Sequence, residues 1–151
     1  MSRRSPVDSL RLPILTFSLA EQVFGLLIED VVEVSAMVET LALPDTPPEV
    51  IGLVNRRGMA LPLIDLRRIF DQPAPPPTSA SIFIVAAGGN QQVGLLVDEV
   101  FQVEYVDPLQ FGDAPAAAQF IHGIISHRSR LIPILALPPL LSVYAGSAAP
   151  G

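Results

Sequence analysis

The ionisable residues that could do chemistry are few and poorly placed for it. The chain has two histidines, His122 and His127, and no cysteine. A nucleophile with its base, a thiolate metal site and a disulfide framework therefore lack their parts. Glu33, Asp65 and the adjacent pairs Glu29–Asp30 and Asp98–Glu99 supply carboxylates. These could form a carboxylate site in principle, but nothing gives a nucleophile with a base, a phosphate loop or a metal-ligand set at useful spacing. The sequence predicts no catalytic residue, no metal and no cofactor, and reads both histidines as loop or strand surface. The unusual chemistry lies at 52–66, GLVNRRGMALPLIDL, where Asn55, Arg56, Arg57, Gly58 and Asp65 interrupt an apolar run. A core strand would be uniformly apolar and a surface strand would alternate, so this cluster marks a turn, a site, or both.

The elements that hold it follow from composition. At 151 residues the chain suffices for one domain or two closely packed small ones. Hydrophobic residues make up 50% and charged ones 16%, against roughly 25% charged in an average soluble domain. Much apolar surface is therefore buried or shown to partners. The 16 prolines are about twice the usual share of roughly 5%, which disfavours helix almost everywhere. A net charge of −6 repels phosphates, and no basic patch interleaved with aromatics offsets it, so nucleic-acid binding is not expected. The N-terminus lacks an apolar stretch with a cleavage site, and LIPILALPPLL falls short of the roughly 20 apolar residues of a membrane span. No direct membrane insertion is expected, and the cysteine-free chain fits the cytosol.

A repeat runs through the chain. FGLLIEDVVEV at 24–34 matches VGLLVDEVFQV at 93–103 at an offset of 69, aligning Gly25 with Gly94. VIGLVNRRGMALPLIDLRRIF at 50–70 faces IHGIISHRSRLIPILALPPLL at 121–141 at an offset of 71, aligning Gly52, Arg57 and Pro62 with Gly123, Arg128 and Pro133. Recurrence of glycine, arginine and proline in one order points to tandem duplication. Each copy reads as five short strands separated by turns, the signature of a small barrel. The boundaries expected are a tail at 1–12, a first unit at 13–71, a proline-rich linker at 72–79, a second unit at 80–143 and a tail at 144–151. Pro62 and Pro133 are expected at bulges or barrel corners. Duplication is also an internal control: Glu33, Asn55, Gly58 and Asp65 become Gln102, Ser126, Ser129 and Ala136. The first copy keeps a polar constellation that the second has largely lost.

On the residues at 50–66 and 93–103 the chain resembles the CheW-like family of bacterial chemotaxis coupling proteins. The family signature reads roughly I-x-G-x-x-N-L-R-G-x-x-x-P-V-x-D-L, and Gly52, Asn55, Arg57, Gly58, Pro62, Asp65 and Leu66 fall on it in register. GLLVDEV looks like the second signature, a strand ending in V-D-x-V. The resemblance covers about residues 13–143. It implies an all-β fold of two SH3-like five-stranded β-barrel subdomains, arisen by internal duplication and packed as one CheW-like domain.

The implied function is a non-enzymatic, cytoplasmic adaptor recruited to membrane receptor arrays. Its partners would be a methyl-accepting chemotaxis receptor and the regulatory domain of the histidine kinase CheA. An adaptor of a pilus or developmental pathway, or a general small-barrel interaction module, would read the same. The resemblance places a salt bridge between Glu33 and Arg57, with Asn55, Gly58 and Asp65 in the same binding region. Ile28, Val31, Val34, Leu53 and Val54 are the candidate groove for a receptor helix. Arg56 departs from the family turn, which usually has an apolar residue there; it either shifts partner preference or points to water.

Overall fold

The computed structural model describes residues 10–145. Its elements are β1 (Leu12–Leu19), β2 (Gln22–Leu27), β3 (Val31–Ala36), β4 (Thr40–Leu41), β5 (Val50–Arg56), β6 (Met59–Asp65), α1 (Leu66–Ile69), β7 (Ile82–Gly88), β8 (Gln91–Val97), β9 (Glu99–Val106), β10 (Phe111–Asp113), β11 (Ile121–His127), β12 (Arg130–Leu135) and α2 (Leu137–Tyr144). All five strands expected in each copy form, and the short β4 and β10 raise each set to six. The expected tails fall largely outside the described residues.

The strands make two six-stranded sheets, ordered β10-β11-β12-β2-β1-β9 and β4-β5-β6-β8-β7-β3. Adding or subtracting six from each strand number turns one order into the other, so the duplication is a property of the topology as well as of the letters. The partition is not the one expected from the linker. Each half lends its first hairpin to the sheet of the other half, and the segment 72–79 does not separate the sheets. The exchange is made by two parallel contacts, β12 with β2 at Ile134 and Gly25 and β6 with β8 from Leu63 and Gly94 onward, and by two antiparallel ones, β1 with β9 and β3 with β7.

These contacts explain the repeated residues. A side chain at Gly25 would meet Ile134 Cδ1 at 2.8 Å and Ile14 Cδ1 at 3.0 Å, so close approach of the crossing strands requires a glycine. Pro62 and Pro133 each sit one residue before the parallel contact begins, where the strand still has a neighbour on one side only. A missing N–H costs nothing there. The prolines do not bulge their own strands; the register shifts lie in the partner strands, between Val50 and Gly52 and between Ile121 and Gly123.

Strand alternation feeds three cores. Leu61, Leu63, Phe83, Val85, Leu96 and Val54 fill one sheet unit, and Ile14, Val106, Ile125, Ile132 and Ile134 fill the other. The opposite faces of β1, β2, β7 and β8 turn Phe17, Leu26, Ile84 and Leu95 into a larger core shared by both. The helix α2 closes that core with Leu137, Leu140 and Leu141. It forms despite Pro138 and Pro139 because both lie in its first turn, where backbone N–H groups have no intrahelical partner. Tyr144 at its end donates to the Glu49 carboxylate at 2.8 Å, tying the C-terminal helix to the first half.

At Gly52, φ is +154° and an added Cβ would strike the Leu41 carbonyl oxygen, which as backbone has nowhere to go. At Gly58, φ is +82° but the space is open. Gly52→Ala is expected to lower unfolding free energy by about 3 kcal/mol, and Gly58→Ala by only about 1 kcal/mol of backbone strain. Urea denaturation of the two variants measures both, and the reverse ranking would contradict the packing described.

Candidate functional site

The polar cluster in the opening segment is a hairpin tip. Arg56 pairs with Met59, leaving Arg57 and Gly58 as a two-residue turn with φ of 54° and 82°. Two positive φ values define the type I′ geometry that matches strand twist. The Asn55 side-chain carbonyl accepts the Gly58 N–H at 2.9 Å, so Asn55 and Gly58 shape the turn. Arg57 holds a left-handed conformation that costs an L-residue roughly 1–2 kcal/mol, and its side chain is 78% exposed.

The expected ion pair forms mainly with the other arginine. Arg56 Nε donates to Glu33 Oε1 at 2.9 Å, whereas Arg57 reaches Glu33 only at 4.0 Å. The pleat explains the exchange of roles: Arg56, two residues after the buried Val54, points to the interior side of β5, and the turn then throws Arg57 outward. The Arg56 side chain is 15% exposed and does not point to water. Because β3 and β5 are not hydrogen-bonded neighbours, this pair draws the edge strand β3 toward β5, next to the opposite edge of the sheet. The Arg56 hydrogen bond, opposed by desolvation and aided by the charges of Arg56 and Arg57, holds the Glu33 carboxyl below its ordinary 4.5.

Other expected site residues serve the fold. Asp65 is 2% exposed and lies at the start of α1. Its two oxygens accept Arg67 Nε at 2.9 Å and Nη2 at 3.0 Å, and Oδ1 also accepts the Arg67 N–H. The same guanidinium reaches Asp98 at 3.1 Å and the Pro75 carbonyl at 2.9 Å, and its bond to Asp65 keeps it more firmly protonated than usual. Asp98 accepts the Ala20 N–H. Asp65 thus has no free face for a partner. Val54 is core, and Ile28 and Val31 pack half-buried on the shared core. Leu53 is half-buried opposite Leu41 and Pro62. Of the candidate groove, Val34 alone is exposed, in a row with Val32, on the face of β3 away from Glu33.

The second sheet carries a tie of its own that the repeat comparison missed. Glu104, 9% exposed on β9, lies 3.1 Å from His127 Nε2 and 3.3 Å from Arg130. The histidine contact is close but not aligned as a hydrogen bond. His127 is the offset-71 counterpart of Arg56, and the acid has moved two residues from position 102, which keeps it on the same strand face. Allowing the acid to slide by one pleat reveals the tie in the sequence.

Two measurements check these roles. Arg67→Ala strands a buried carboxylate and is expected to destabilise by about 3–5 kcal/mol in urea denaturation; a loss below 1 kcal/mol would sink the structural role. A lowered pKa favours the folded state above the ordinary glutamate value, and that contribution disappears as pH falls through the folded pKa. The stability advantage of the native chain over Glu33→Gln should therefore be full at neutral pH and vanish on acidification below 4.5. An advantage that grew in acid would refute the pairing.

Comparison with known proteins places these features. The CheW-like domain model matches residues 13–145. A probable chemotaxis protein CheW of Rhizobium etli is 30% identical over 141 residues, covering 90% of this chain and 91% of that protein. The chemotaxis protein CheW of Klebsiella aerogenes is 29% identical, covering 85% and 80%. The crystal structure of the scaffolding protein TtCheW from Thermoanaerobacter tengcongensis superposes with a TM-score of 0.78 at 32% identity, over 83% of this chain and 89% of that one. With its duplicated sheets, its Asn55–Gly58 hairpin tip and a family match spanning nearly all the described residues, the chain belongs to the CheW-like domain family, a family of scaffold and adaptor proteins.

Proposed function

We propose that this protein is a non-enzymatic coupling protein of the cytoplasm. It joins the tips of methyl-accepting chemotaxis receptors to the regulatory domain of the histidine kinase CheA in signalling arrays. The observation that carries this reading is the presentation of Arg57. A charged side chain stands 78% exposed on a strained two-residue turn, while the neighbouring Arg56 is fixed inward by Glu33. Backbone strain of this kind persists where the surroundings over-determine it and is characteristic of binding sites.

An adaptor's output is an interface free energy, and this surface offers both kinds of contact. Arg57 supplies charge; Val32 and Val34, 45% and 44% exposed, supply an apolar row on an edge strand, with Val38 exposed just past its end. Two sheet units of the same order but different side chains give unequal faces. Unequal faces favour head-to-tail contacts that close into rings or extend as arrays. The Glu33 to Arg56 tie holds the hairpin in one geometry, so that binding at its tip is felt by the sheet behind it.

Titration of the purified protein with a receptor hairpin tip and, separately, with a CheA regulatory domain tests the proposal. Saturable binding to both is expected. Arg57→Glu, at an exposed turn, should keep the fold and weaken at least one of the two interactions about tenfold or more. Val34→Asp should likewise remain folded and lose partner, whereas Val31→Asp should destabilise the shared core. Unchanged affinity in a folded Arg57→Glu protein, or binding to neither partner, would overturn the reading.

A further inference from the structure

The second sheet has an opening where the first is tied. Between β9 and the tip of the β11–β12 hairpin lies a cavity of about 650 Å³, bordered by Arg11, Gln102, Glu104, Tyr105, His127 and Arg128. The residues from 102 to 105 are consecutive, so the cavity follows the margin of β9. That strand pairs with β1 on one side and ends the sheet on the other. Its outer edge is thus a template for an extended segment, which could add main-chain hydrogen bonds to it.

The charge of the opening selects what kind of segment. In a chain of net charge −6, three of the nine basic residues, Arg11, Arg128 and Arg130, gather here. The carboxylate Glu104 is already taken by Arg130 and His127. Arg128 stands in a left-handed turn, φ 50°, as Arg57 does in the first hairpin. Among the described residues no carboxylate lies within ion-pair range of it. The strain that favours presentation of Arg57 is therefore repeated, at the matching turn, for an arginine with no partner inside the described chain. The alternate residues of β9, Phe101, Val103 and Tyr105, form an apolar row, each 39% to 49% exposed, and Val103 and Tyr105 also border the cavity.

We propose that this seam is a second docking site, which takes an extended segment of a partner protein in which acidic residues alternate with apolar ones. The acidic side chains meet Arg128, and the apolar ones lie beside Phe101 and Val103. The site is separate from the Arg57 hairpin and does not depend on the identity of the partners proposed above.

The test uses the full chain, isotopically labelled, and a short synthetic peptide of alternating glutamate and valine, with a lysine–valine peptide as control. Saturable amide shifts are expected at 101–106 and 127–130 with the acidic peptide alone. Arg128→Ser should weaken binding about tenfold, the loss of one charge-assisted hydrogen bond, while Arg57→Ser should leave it unchanged. Three outcomes would overturn the proposal: no saturation, equal binding of the lysine peptide, or shifts centred on the Arg57 hairpin. Receptor and kinase titrations are independent of all three, so the adaptor reading stands or falls separately.

Discussion

One guanidinium sits where the two halves of the chain cross. Arg67 gathers the end of β6 through Asp65, the turn before β9 through Asp98, and the proline-rich segment through the Pro75 carbonyl. Asp98 in turn fixes the β1–β2 turn at Ala20. The exchange of hairpins between sheets needs all these segments in register, and a single bidentate cation supplies their common point. A buried charge of this kind specifies geometry more than it adds stability, because desolvation offsets much of the attraction. The second copy has Ala136 and Pro138 at the matching positions and fastens its end with the apolar α2 instead.

The two sheets therefore share a strand order but not a set of fastenings. One is drawn together by a glutamate and an arginine, the other by a glutamate, a histidine and an arginine from the adjoining strand. Duplication supplies equivalent positions, and divergence then makes the two hairpin tips chemically different surfaces on a common frame. An adaptor that must distinguish its partners needs such inequality; two identical tips would bind the same thing twice.

Much of this was legible in the letters. Gly25, Gly94, Gly52, Gly123, Pro62 and Pro133 each mark a crossing or a register shift, and their recurrence announced the duplication because backbone geometry admits few alternatives there. The partner choice of each hairpin was not legible. Strands of the two copies are so alike that pairing within a half and pairing between halves satisfy the same apolar pattern, and only three-dimensional packing decides. The choice between Arg56 and Arg57 was hidden for a related reason: of two adjacent arginines one faces inward, and which one depends on where the strand ends and the turn begins. The helix α2 was obscured by prolines whose position in its first turn makes them harmless. Asp65 read as a site residue because burial, which settles its role, is not written in a motif.

The interlaced sheets impose an order on the making of the molecule. Leu15 on β1 faces Val103, and Gly25 on β2 faces Ile134, so the β1–β2 hairpin, made before β9 and β12, waits for both to be translated. Until then its apolar edges are uncovered, and β7 and β8 later offer near-copies of the strands it must distinguish. Non-local pairing of this kind slows folding and exposes intermediates to association. Neighbouring nascent chains can satisfy the same pairings in trans. The duplication that gives the molecule two unequal hairpin tips thus also gives neighbouring chains a low-cost route to exchange hairpins.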